Sequence, residues 1–175
     1  MLLYRVTSRA FAIDLSGRGA QMYGGRWNPK GMAVLYTAET PAQALLEFLP
    51  HFPETCAPAN LVLVTIGAPD NLDIEEIRQN DLPENWDTKP STAHTASIGR
   101  KWLLRGTSAA LRVPSVMLPF GKAWNLVLNQ AHTQCSGLEV IEVVAIAVDP
   151  RLKLAAVQIC QIAKPPESVR LSALR

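Results

Sequence analysis

Residues 24–47, Gly-Gly-Arg-Trp-Asn-Pro-Lys-Gly-Met-Ala-Val-Leu-Tyr-Thr-Ala-Glu-Thr-Pro-Ala-Gln-Ala-Leu-Leu-Glu, leave this chain few ways to fold. Glycines and prolines open the block as a turn, and Met32–Thr37 reads as a short buried strand. Thr40-Pro41 then starts a helix that runs to about Leu49, where Pro50 and Pro53 end it. The turn carries Arg26, the strand Tyr36 and the helix Glu47. Polar groups set among apolar neighbours need partners, and such positions concentrate at functional sites.

The helix is the sharpest case. Ala42, Ala44, Leu45, Leu46, Phe48 and Leu49 cover an arc of roughly 200° at about 100° per residue. Only Gln43 and Glu47, at i and i+4, form a polar stripe. Glu47 therefore points into a cleft or lies on a thin solvent-facing edge. Arg26, bracketed by Gly24-Gly25 and Pro29-Lys30-Gly31, has a guanidinium suited to gripping a pyrophosphate or carboxylate bidentately. The plainer alternative is a loop arginine in an ion pair. Tyr36 is placed to stack on a flat heterocycle, or is a core tyrosine with a satisfied hydroxyl. Trp27 reads as core. Neither Gly-x-Gly-x-x-Gly nor a P-loop is present.

Elsewhere, Leu2–Val6 and the branched run Leu61–Ile66 read as strands, and Ser16–Gly25, with its four glycines, as a loop. Asp73–Gln79 is expected to be a short helix, and Ser91 or Thr92 to cap another through about Leu104. Ala109–Val113 and Val116–Leu118 are strand-like and interrupted by Pro114-Ser115, which sets a hydroxyl where the chain cannot pair regularly. No Gly-x-Ser-x-Gly surrounds Ser115, so a serine-hydrolase nucleophile is not expected. Asn125 and Asn129 point the same way if their stretch is helical, with His132 following. Val140–Val148 and Leu152–Ile162 read as further strands. Short strands and dispersed helices without β-α-β alternation predict an α+β fold.

The 175 residues suit one domain, and 48% hydrophobic against 18% charged residues exclude disorder. A net charge of +2 with no Lys/Arg run argues against nucleic acid as partner; Arg100, Lys101 and Arg105 read as a solvated helix face. Cys56, Cys135 and Cys160 are too irregularly spaced for a disulfide framework and are expected to be reduced thiols in a cytosolic protein. His51, His94 and His132 are equally scattered, so no metal is expected. No signal peptide or membrane-length apolar run is seen, so a soluble, cytoplasmic protein is expected.

Taken in order, the chain carries Leu3-Tyr4-Arg5, Gly-Gly-Arg26-Trp-Asn, Leu-Tyr36-Thr-Ala, Ala-Leu-Leu-Glu47 and Leu82-Pro-x-x-Trp86. Gly99-x-x-Trp102-Leu, Val-Pro-Ser115, Asn125-x-x-x-Asn129-x-x-His132 and Asp149-x-Arg151-Leu follow. In this pattern it resembles the RES domain family from about residue 2 to 153. Gln130 stands where that family usually has proline, and Gly121-Lys-Ala-Trp124 replaces a more compact acidic link. The resemblance implies a RES domain over 1–153, with 154–175 a C-terminal strand or tail packed on it or contacting a partner. It implies an ADP-ribosyltransferase-like fold with a split, short-stranded β core and surrounding helices. It implies the toxin of a toxin–antitoxin pair that consumes NAD, as glycohydrolase or phosphorylase, with a protein ADP-ribosyltransferase or a silent antitoxin-binding module as alternatives. Glu47, Arg26 and Tyr36 would be catalytic, and Arg26, Tyr36, Ser115 and Asn129 would bind NAD as substrate, without a metal. An Xre-type antitoxin is the implied partner, self-association is plausible, and neither nucleic acid nor membrane is expected.

Overall fold

The computed structural model describes residues 1–51, 60–89, 91, 93–118, 122–149 and 151–152. Alternating and continuous apolar runs form seven strands: β1 (Leu2–Ser8), β2 (Val34–Ala38), β3 (Leu61–Gly67), β4 (Ile74–Glu76), β5 (Ala110–Pro114), β6 (Trp124–Asn129) and β7 (Glu139–Ala145). Among the described residues three α-helices accompany them, α1 (Arg18–Tyr23), α2 (Pro41–Phe48) and α3 (Ala93–Arg105). The strands form one sheet in the order β4-β5-β6-β2-β1-β3-β7, antiparallel except for the β4–β5 pair. The fold is α+β, as expected.

The sheet is split at its centre. β1 and β3 pair without a break from Leu2 opposite Gly67 to Ser8 opposite Leu61. β1 and β2, by contrast, pair through Tyr4 and Ala38, after which they diverge. An antiparallel register continued from that pair would set Val6 opposite Tyr36, yet no pairing is made there. α2 packs over this opening through Ala44, Leu45 and Phe48, against Val6, Ala38 and Leu63.

Period-2 alternation divides the core between the two faces of the sheet. Leu126 and Leu128 join Leu3, Val62, Val64 and Ile66 on one face. Val127 joins Val34, Leu111 and Val113 on the other, under Trp27, Trp86 and Trp102. Trp102 is 1% exposed, and its indole N–H donates to Ser108 Oγ at 2.7 Å, so the ring is buried without an unmet donor.

Several elements differ from expectation. The glycines of Ser16–Gly25 do not make a loop: Gly17 (φ +70°) and Gly24 (φ +74°) are the two ends of α1, and only glycine adopts those angles without strain. Asp73–Gln79 is not a short helix but contains β4, whose Glu75 and Glu76 pair with Arg105 and Arg112, and only Gln79 enters a 3-10 turn. Val116–Leu118 is not a strand, because the amides of Met117 and Leu118 turn back to Ser115 Oγ. Asn125 and Asn129 lie on β6 rather than on a helix, so they share a face but stand about 13 Å apart. Thr92, Cys56, Cys160, most of Leu152–Ile162 and the 154–175 segment lie outside the described residues. Among the described residues no helix is long and apolar enough to cross a membrane.

Candidate active site

α2 is built to present its polar stripe. Thr40 caps it with extended backbone and a side chain that accepts from the Gln43 amide, and Pro41 supplies a preset φ at its first turn. Ala44 is buried against β1, and Gln43 and Glu47 rise from one side of the helix toward the start of β6 and the bend after β5.

There the Glu47 carboxylate accepts three hydrogen bonds on a single oxygen. Ser115 Oγ and Asn125 Nδ2 each reach Oε1 at 2.7 Å, and Gln43 Nε2 reaches it at 3.0 Å. The direction of the serine proton follows from counting. Ser115 Oγ accepts the amides of Met117 and Leu118, both at 3.0 Å, which uses its two lone pairs and leaves its one proton for Glu47. Ser115 is fully buried. It therefore holds Glu47 instead of facing a ligand. None of the three donors reaches Oε2.

Arg26 lies in the turn between α1 and β2. Its Nη1 donates to the Trp86 carbonyl at 2.6 Å and its Nη2 to that of Thr88 at 3.1 Å. Burial lowers its pKa, opposed by the charges of Glu47 and Asp87, but a guanidinium so placed stays protonated. Arg5, on β1, is held in the same manner: by the carbonyls of Asp14 (2.7 Å) and Phe11 (3.3 Å) and by Thr7 Oγ1 (3.2 Å). Among the described residues no carboxylate forms a salt bridge with either guanidinium. Both are oriented by neutral acceptors, and the carboxylates that act on them, Asp14 on Arg5 and Glu47 and Asp87 on Arg26, do so through space.

The Tyr36 hydroxyl accepts from the Trp27 amide at 2.9 Å and donates to Asn28 Oδ1 at 2.8 Å. Burial pushes its pKa up, so the phenol is neutral. With the hydroxyl committed inward, the ring is what this residue offers a ligand. Asn28, 1% exposed, ties the turn together by donating to the carbonyls of Ala20 and Met32, each at 2.9 Å.

Arg5, Arg26, Tyr36, Glu47 and Asn125 all line a cavity of about 720 Å³ in the split of the sheet. Its size suits a small-molecule ligand. Arg5, Arg18, Arg26 and Lys89 face Asp14 and Glu47 across it, an excess of positive charge that favours an anion. Among the described residues no three His, Cys, Asp or Glu side chains converge as metal ligands.

Of the residues expected from sequence, the structure brings together Arg26, Tyr36, Glu47 and Ser115. It does not bring Asn129. That side chain, at the far end of β6, accepts from the Ala131 amide at 3.1 Å, and the asparagine that meets Glu47 is Asn125. Gln43, Arg5 and Asn28 were not singled out. The i, i+4 spacing of Gln43 and Glu47 was the available signal for the first, and Asn-Pro in a glycine-rich turn for the last.

The RES domain family matches this chain over residues 2–153. A Yersinia enterocolitica protein named Toxin Res is 37% identical over 155 residues, which span 87% of this chain and 100% of that protein. A Sphingobium protein named Prs ADP-ribosylating toxin is 38% identical over 143 residues, 81% of this chain and 88% of the relative. Among solved structures, a chain of the M. tuberculosis MbcT–MbcA toxin–antitoxin complex superposes with a TM-score of 0.68 at 21% identity, covering 88% of this chain and 87% of that one. At that identity the likeness is one of fold.

Proposed function

The chain belongs to the RES domain family, and from that membership we propose that it is the toxin of a toxin–antitoxin pair, acting by cleaving the nicotinamide–ribose bond of NAD. One observation carries the chemical part: the Glu47 carboxylate is held by three donors at a cavity whose arginines are oriented by neutral carbonyl and hydroxyl acceptors. Nicotinamide bound to ribose is already a cationic leaving group. When the glycosidic bond breaks, its electron pair goes to the ring nitrogen, so no general acid is required. Positive charge develops on the ribose, and a preorganised carboxylate stabilises it. Ordinary glycosidases, which must protonate their leaving group, need a second carboxyl.

In this reading Glu47 faces the nicotinamide ribose. Arg26 and Arg5 hold the pyrophosphate, and the ring of Tyr36 positions the nicotinamide. Ser115 and Asn125 act through Glu47, whereas the resemblance had Ser115 and Asn129 bind the NAD directly. Capture of the ribose cation by water yields ADP-ribose and a proton; capture by phosphate yields the corresponding 1-phosphate ester. The partner is an antitoxin that covers the cavity. An Xre-type antitoxin and self-association are carried by the resemblance alone.

The purified full chain, incubated with NAD and phosphate and no protein acceptor, should release nicotinamide. Glu47→Gln should slow release on the order of 10²–10³-fold. Full activity in that variant removes the reading. A second reading, transfer of ADP-ribose to a protein side chain, is favoured by the name of the Sphingobium relative. It is distinguished by label appearing on a protein while release without an acceptor stays negligible.

A further inference from the structure

Gln43 occupies the third helical position of α2, where a glutamine normally closes a capping box. Half of that box is present: the Gln43 amide donates to Thr40 Oγ1 at 3.2 Å. The reciprocal half would have the Gln43 side-chain carbonyl accept from the cap amide, and it is not made. Among the described residues Gln43 Oε1 is buried without a partner, in a residue 3% exposed. The other end of the same amide is fully used. Nε2 has two protons and meets two acceptors, Glu47 Oε1 at 3.0 Å and Asn125 Oδ1 at 3.4 Å.

The amide cannot turn over to relieve its orphaned oxygen. A carboxylate only accepts, so a flipped Gln43 would set oxygen against oxygen at Glu47. Asn125 is held the same way round, its Nδ2 on Glu47 and its Oδ1 toward Gln43. Buried polar atoms are rarely left unmet, and an unbranched apolar side chain of similar length would serve the helix–sheet packing here without leaving one. The amide's value lies at its nitrogen.

We propose that Gln43 is a positioning residue, one that gives up a helix cap to lock Glu47 and Asn125 into a single geometry at the cavity. The proposal rests on the reading of Glu47 as the carboxylate of the reaction. Gln43 is absent from the cavity lining, so it acts through Glu47 and not on the ligand.

The test is nicotinamide release and thermal melting on the full chain with Gln43→Met. This variant removes both the donor and the orphaned acceptor while keeping the volume. Its melting temperature should equal or exceed that of the parent, while kcat falls on the order of 10²-fold and KM stays within about twofold. Gln43→Leu likewise removes both the donor and the orphaned acceptor and sets no second charge beside Glu47. It should show the same kcat loss, and it serves as the measurement if Gln43→Met does not fold. A merely structural residue gives the opposite pattern, with melting temperature and activity falling together; that result, or near-parental kcat in the folded variants, overturns the proposal. Glu47→Gln run alongside separates the two ideas. If it stays active, the carboxylate reading fails. If it is inactive while Gln43→Met works normally, only the positioning role fails.

Discussion

At the scale of single residues, the site depends on side chains whose hydrogen-bonding capacity is used up. Ser115 is the clearest: two backbone amides occupy its lone pairs, so its proton has one destination. Ser115→Ala should therefore do two things at once. It should destabilise the fold by about 1–3 kcal/mol, because the amides of Met117 and Leu118 lose their acceptor, and it should lower kcat by loosening Glu47. Urea melts and steady-state kinetics on one preparation check both; an unchanged melt would show that the bend after β5 does not need the hydroxyl. Arg26 makes a different prediction. Its fork spans the carbonyls of Trp86 and Thr88, which the ammonium of lysine cannot reproduce while also presenting charge to a ligand. Arg26→Lys should raise KM for NAD on the order of tenfold with a smaller effect on kcat. A normal KM would mean that charge alone suffices there.

Among the elements, α2 carries Glu47 of the candidate site and α3 holds the second core in place. α3 approaches the Trp27 turn closely enough that a Cβ at Gly99 would strike the Trp27 carbonyl, which is backbone and cannot swing aside. Gly99→Ala should cost about 3 kcal/mol, and with Trp27 displaced the neighbouring Arg26 should lose its hold as well. Gly19, in α1, is the contrast: a Cβ there meets nothing within 4 Å. Gly19→Ala should leave stability unchanged or raise it by up to about 1 kcal/mol. Thermal melts of the pair decide the matter, and equal losses in both would contradict the packing account. Helix α2 was legible because its cap, proline and polar stripe are local signals. β4 was not, since its three residues pair with β5 about 35 positions on and local acidity imitates a helix start.

The molecule as a whole should weaken in alkali. The Cys135 thiol is buried, which pushes its pKa from the ordinary 9.0 up to about 11. Tyr36 is shifted in the same direction by the same cause. A folded pKa above the unfolded one means the native state keeps a proton that the unfolded chain gives up. The associated stability is intact below about pH 9 and is lost as pH rises toward 11. Urea midpoints at pH 8, 9.5 and 10.5 should fall progressively, and Cys135→Ala should flatten part of the slope; a midpoint constant over that range would sink the idea. The split sheet also belongs to this scale. It provides a cavity between strands that a continuous β1–β2 ladder would close.

What the sequence by itself determined is the set of pieces: an α+β chain, the strand and helix that carry Tyr36 and Glu47, and a family pattern naming Arg26, Tyr36, Glu47, Ser115 and Asn129. Those follow from periodicity, caps and motif order, which are local or linear. What only the tertiary structure decided is how the pieces act on one another. No spacing along the chain says that Gln43 would abandon a cap for Glu47 and Asn125, or that Ser115 would face the carboxylate instead of a ligand. Nor does it say that Asn125 rather than Asn129 would arrive at the site, since that turns on whether residues 124–129 are strand or helix. The physical reason is the same in each case. A hydrogen bond with one free lone pair or one free proton is assigned by which groups meet in space, and here those groups come from α2, β6 and the bend after β5, brought together across a sheet that opens between β1 and β2.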